Sequence, residues 1–179
     1  MAWASFHDEP RNERFWLFTS LARRLDFAHV QFERVRAGIA ELNAPSEYLL
    51  EAAMEVLADA EAAMTALHRV CVMVREVSDH HTGGPLPAIL TDQRRIAIKE
   101  LRDAYEHVES RALGEIDIRK NVDVDAAHSI FLNADLGREL VVHHRVSYRS
   151  WYFDLDAEAT SVCIALREYI HDAWHSLVR

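Results

Sequence analysis

From Phe18 onward the apolar residues fall at Phe18, Leu21, Leu25, Ala28, Phe32, Val35, Ile39 and Leu42, with charged residues such as Arg23, Arg24, Glu33, Arg34 and Arg36 between them. Steps of three and four keep these positions on one stripe of an α-helix, so the pattern predicts a long helix from about Pro10 to Leu42 with one buried face. Pro10 suits the first turn, where its missing N–H costs nothing. Asn43-Ala44-Pro45-Ser46 breaks the period, and either Asn43 or Ser46 can cap a second helix by accepting a hydrogen bond from its free amides. That helix carries its own stripe, Leu50, Ala53, Leu57, Ala60, Met64, Leu67, Cys71 and Val74, and is predicted to end near Val77. The short joint favours an antiparallel pair of helices.

The segment from Ser78 to Pro87 contains Gly83-Gly84-Pro85, which predicts irregular backbone. Thr91-Asp92 then caps a third helix with apolar positions Ala97, Leu101, Ala104, Tyr105, Val108 and Ala112, and Gly114 stands where a left-handed C-terminal cap falls. Between Glu115 and Asp156 the period changes to alternation. Ser129 to Leu132, the turn formers Asn133 to Gly137, and Glu139 to Val146 predict a β-hairpin, with Tyr148 to Phe153 extending it or adding a strand. A last helix, Ala157 to Val178, buries Val162, Cys163, Leu166, Ile170, Ala173 and Leu177. The expected fold is mainly α: a four-helix up-and-down bundle, one domain over 1–179, with a small β-hairpin insertion at about 116–154 before the last helix.

Half of the 179 residues are hydrophobic, enough for one core and too few for two domains. The net charge of -9 argues against a broad basic face of the kind that grips duplex DNA, while leaving room for a local cationic site. Cys71 and Cys163 sit among apolar residues, as buried thiols in a reducing compartment do. The N-terminus has neither the basic start nor the apolar run of a secretory signal, and no apolar stretch approaches the ~20 residues that span a bilayer. The expectation is a cytoplasmic protein without membrane contact.

The densest chemistry lies in Arg102-Asp103-Ala104-Tyr105-Glu106-His107. Arginine offers a phosphate a planar fork of donors and keeps its charge, while histidine titrates near neutral pH and serves as general acid or base. With the ribose 2′-hydroxyl as nucleophile, such a pair cleaves RNA without a metal. Asp103, one turn before His107, is placed to set the tautomer of its ring, with Glu106 a lesser contributor. Helical geometry nevertheless sets Arg102 and His107 ~140° apart around the axis. A site using both needs a kink, the length of the arginine, or a second copy of the helix. The alternative is a salt-bridge face of Lys99, Arg102, Asp103 and Glu106 on a non-enzymatic helical interaction module.

These residues resemble the motif of the HEPN superfamily: an arginine, a polar residue, then histidine after four to six intervening positions, on a helical bundle. Arg102, Asp103 and His107 fit that description. The resemblance implies a homodimer whose two motifs face each other, metal-independent cleavage of RNA of the toxin or defence type, no cofactor, and in some members a nucleotidyltransferase antitoxin as partner. It covers the motif and the helical architecture. The hairpin is not part of that pattern, and Glu109 stands where some subfamilies have tyrosine. The same Arg-to-His spacing recurs at Arg24 to His29, Arg75 to His80 and Arg138 to His143, but only Arg102 is followed by aspartate within a strongly periodic helix.

Other groups weigh less. His171-Asp172-Ala173-Trp174-His175 sets two histidines one turn apart, as a metal pair requires, but has aspartate where the zinc-protease helix has glutamate. It reads as a polar helix flank, and no metal is assigned to it or to Asp103, Glu106 and His107 across the bundle. His80-His81 is placed in the glycine-rich loop and His143-His144 in a strand. The aromatic N-terminal residues Trp3, Phe6, Phe15 and Trp16 are expected to cap the bundle, with a dimer interface as the alternative.

Overall fold

The structure, a computed structural model, describes residues 9–42, 49–80, 84–106, 134–136, 140–142, 145–148 and 150–178. Four helices occupy most of them: α1 (Glu9–Leu42), α2 (Leu49–His80), α3 (Asp92–Glu106) and α4 (Ala157–Val178). Among the described residues four short strands lie between α3 and α4: β1 (Ala134–Leu136), β2 (Leu140–Val142), β3 (Arg145–Tyr148) and β4 (Trp151–Asp154). The fold is a mainly α bundle with its small β element before the last helix.

Every member of the α1 stripe from Phe18 to Leu42 is buried. α2 runs antiparallel to α1: Arg34 pairs with Asp59 at 3.0 Å near one end, while Ser20 and Arg24 lie beside His68 and Arg69 nearer the other. The helices approach so closely at Gly38 that a Cβ there would overlap Val56 Cγ2. α4 is likewise antiparallel to α1, with Arg36 reaching Thr160 Oγ1 at 3.1 Å, Arg167 reaching Asp26 at 3.0 Å, and Phe18 edge-on to Trp174. Of α2, Ala60, Met64, Leu67, Cys71 and Val74 are buried as the stripe predicts, but Leu57 is only partly so. Val56, Ala63, Val70 and Val77 are buried as well, because α2 packs against both α1 and α3 and needs a wider apolar arc.

One helix boundary differs from expectation. α2 continues through Ser78 and Asp79 to His80, so His80 is helical rather than in the loop. Ser, Asp and His cost a helix far less than glycine or proline, and it is Gly84, with a φ of 77°, that adopts a left-handed conformation beyond the end. Ser78 Oγ donates to the Gly84 carbonyl at 3.0 Å.

Among the described residues the β region forms two hairpins, the expected additional strand pairing in the second of them. β1 pairs with β2 in the register Ala134↔Val142, Asp135↔Val141, Leu136↔Leu140, so the connection is 137–139 and Ala134 and Asp135 belong to a strand. The predicted strand from Glu139 to Val146 divides into β2 and β3. β3 pairs with β4 antiparallel, Val146 opposite Phe153. Alternation over three or four residues specifies register weakly, and here a buried pair decides it: Val146 and Phe153 are both fully buried, and Phe153 meets Phe32 of α1 at 6.1 Å between ring centroids. Tyr152 is exposed and carries the Arg145 guanidinium 4.6 Å above its ring. The expected strand at 129–132, His143-His144, Val108 to Gly114, and Trp3 and Phe6 lie outside the described residues.

The starts of α3 and α4 are capped from their own sequences. Thr91 Oγ1 accepts the Arg94 N–H at 3.2 Å, as expected. Asp154 Oδ1 accepts the N–H of Asp156 and of Glu158, while Glu158 Oε2 accepts the Asp154 N–H at 3.1 Å, a reciprocal arrangement that satisfies free donors at both positions. Glu158 also pairs with Arg94, which joins the two N-termini.

Candidate functional site

The last turns of α3 present Lys99, Arg102, Asp103 and Glu106 in one connected ion network. Arg102 Nη1 donates to Asp103 Oδ1 at 2.7 Å, Lys99 Nζ to Asp103 Oδ2 at 2.8 Å, and Arg102 Nη2 to Glu106 Oε1. Arg102 and Asp103 are each about one-fifth exposed, so the network is half-buried and not a fully solvated face. Burial alone would raise the Asp103 pKa, but the hydrogen bonds from Lys99 and Arg102 outweigh it and hold the carboxyl below its usual value. Asp103 thus uses both oxygens on cations of its own helix. His107, the residue it was expected to orient, lies outside the described residues.

Arg102 is not filled by these pairs. Each takes one of its five donors, and its Nε is buried with no hydrogen-bond partner. Its side chain lines a cleft of about 290 Å³ together with Ser20 and Arg24 of α1 and His68, Arg69, Val72 and Met73 of α2. Three helices therefore bring three arginines and one imidazole to a single recess. Among the described residues neither Arg24 nor Arg69 has an ion pair. Burial depresses the pKa of His68, and the positive charge of Arg102 depresses it further, against the opposing pull of Asp103. The ring is neutral at pH 7 and retains an acceptor nitrogen.

His68, Arg24 and Arg69 were not legible as site residues. Each lies off the core stripe of its helix, where a charged or polar side chain reads as solvated. The available signal was spacing: 20 and 24 on α1, and 68, 69, 72 and 73 on α2, mark one edge of each helix. Which edges meet is settled only by the packing.

Cys71 and Cys163 are buried free thiols, as expected, and burial pushes their pKa values up to about 12 and about 11, away from nucleophilic chemistry. On α4 the His171 and His175 Nε2 atoms are 3.1 Å apart, and His171 Nδ1 lies 3.3 Å from Asp172 Oδ1. The two rings stand within hydrogen-bonding distance of each other one turn apart on the helix. Among the described residues no three His, Cys, Asp or Glu side chains converge in a way that would hold a metal ion.

The fold and the site define a helical bundle with a cationic recess among three of its helices. Comparison with models of known protein families, with curated proteins and with solved structures finds no match.

Proposed function

We propose that the protein is a metal-independent endoribonuclease of the HEPN-like, toxin or defence type, acting as a homodimer, with Arg102 binding the scissile phosphate and His107 transferring protons. The observation that carries this reading is the recess itself. In a chain of net charge -9, Arg24, Arg69 and Arg102 share one small cleft, and two of the three have no carboxylate partner among the described residues. Such a site attracts an anion. The half-buried Arg102–Glu106 pair uses only one donor of the guanidinium, and a hydrogen bond from a remaining donor to a charged group in a partly desolvated site contributes about 1.5–3 kcal/mol. A phosphodiester can therefore share the Arg102 fork while Asp103 and Glu106 hold it in place.

In this reading the 2′-hydroxyl attacks the phosphorus and the 5′-oxygen leaves, so one group must take a proton and another must give one. His107 is assigned to that exchange by the resemblance of its motif. His68, neutral and beside Arg102, is the second imidazole that the recess supplies. Glu106 and Asp103 act as positioning residues for the guanidinium. An antitoxin partner remains part of the proposal through the resemblance alone.

The test compares wild type, His107→Ala and Arg102→Gln for cleavage of RNA in the presence of chelator, alongside growth inhibition on expression. The expected result is metal-independent cleavage that drops about 10²-fold or more in each variant. Equal behaviour of all three proteins would remove the ribonuclease reading. A second reading, a helical interaction module, is favoured by the closure of Arg102 onto Asp103 and Glu106, and that result would select it.

A further inference from the structure

The cationic recess continues along the outer face of α1 and α2 into a second, larger groove of about 900 Å³, with Ser20, Arg24 and Arg69 lining both. Its α1 wall is unusual. Trp16, Arg23 and Phe27 lie within ~40° of one line along the helix, and Trp16 and Phe27 are roughly 16 Å apart. Trp16 is 66% exposed and Phe27 49% exposed, a large aromatic area left in water. Across the groove α2 supplies Ala58, Ala62 and Thr65, small side chains that leave room between the walls, and ends it at Arg69.

From this juxtaposition we infer that the groove is a binding track for single-stranded RNA, leading from an aromatic stacking platform at Trp16 and Phe27 to the phosphate site at Arg102. The inference deepens the ribonuclease reading by naming its substrate class. Stacking accepts any base because every base has a π-face, and arginines between the aromatic positions meet the backbone phosphates. Arg23, Arg24 and Arg69 have no ion pair among the described residues, and Glu61 is the one carboxylate that lines the groove. Duplex is a poorer fit, because its bases are stacked already and cannot use Trp16 or Phe27.

A second copy of the chain is the competing occupant, since exposed aromatic residues also anchor dimers. A two-fold interface places one patch against its own image. That would press the unpaired guanidiniums of Arg23, Arg24 and Arg69 toward their mates with little negative charge to separate them. The charge pattern therefore favours a polyanion over a twin.

The experiment uses the full chain and a 2′-O-methyl oligouridylate of about ten nucleotides, a length within the range of single-stranded binding sites. The probe lacks the nucleophilic hydroxyl and cannot be cleaved, so binding is read by fluorescence anisotropy independently of catalysis. The expected result is binding that weakens with salt. Trp16→Ala and Phe27→Ala should each lower affinity about tenfold. Arg24→Gln and Arg69→Gln should each reduce the slope of log affinity against log salt by about 0.7. All four changes are on the surface, and circular dichroism checks that the variants fold.

Absence of binding by wild type, or wild-type affinity in all four variants, would overturn the inference. So would Trp16→Ala dissociating a dimer, by analytical ultracentrifugation, while RNA affinity stays unchanged. The two proposals fail separately. Binding that depends on these residues, in a protein that does not cleave unmodified RNA, preserves the track and removes the nuclease. Cleavage that requires His107 but ignores Trp16, Phe27, Arg24 and Arg69 does the reverse.

Discussion

Arg102 illustrates how far one residue can be read from its neighbours in sequence. Its bonds to Asp103 and Glu106 are to positions one and four residues on: the second follows from helical spacing, and the first needs the reach of the arginine side chain. Its company in the recess, Arg24, His68 and Arg69, lies at least 33 residues away along the chain and could not be deduced from spacing. His68 gives this environment a measurable consequence. Its pKa is lowered in the fold, so below its ordinary value near 6.5 the unfolded chain binds more protons than the folded one. Its contribution to stability is therefore unfavourable at acid pH and relieved as pH rises through 6.5. Chemical denaturation of wild type and His68→Asn between pH 5 and pH 7.5 should show the wild type losing stability on acidification more steeply than the variant. Parallel curves would mean that His68 is not held in the surroundings given above.

At the scale of elements, the helices follow their sequence patterns, whereas the strands stand in the expected region but divide and pair as tertiary packing dictates. Eight periodic positions outvote local accidents in α1, and all eight are buried. A strand of three or four residues offers one or two inward positions, so the register of β3 and β4 rests on burying Val146 and Phe153 together. One tight joint between elements is Gly38 against Val56, where α1 and α2 have no space for another methyl group. Gly38→Ala would gain up to about 1 kcal/mol in helix propensity, but overpacking costs about 1–3 kcal/mol and the backbones cannot part without opening the core on both sides. The expected outcome is a net loss of stability in urea denaturation. A variant at least as stable as wild type would show that the helices separate freely at that level.

Across the whole molecule, a net negative chain folds so that four arginines, Arg23, Arg24, Arg69 and Arg102, line one recess and the groove beside it, while most of its carboxylates lie elsewhere. Burial of Cys71 and Cys163 in the same core provides a probe of its integrity. Neutral, enclosed thiols should react with an aromatic disulfide reagent only at the rate at which the bundle opens, and both should react fully in denaturant. Fast modification of either thiol in the native protein would contradict the packing of α2 and α4.

The sequence by itself determined the four helices, their buried stripes, the cap at Thr91 and the ion network along α3. All are set by neighbours within about a turn, where helical geometry leaves little choice. The tertiary structure alone decided that an edge of α1, an edge of α2 and the end of α3 face one another, and so assembled Arg24, His68, Arg69 and Arg102. Polar side chains off the core stripe carry no periodic signal for their partners, because what brings them together is the apolar packing on the other side of each helix.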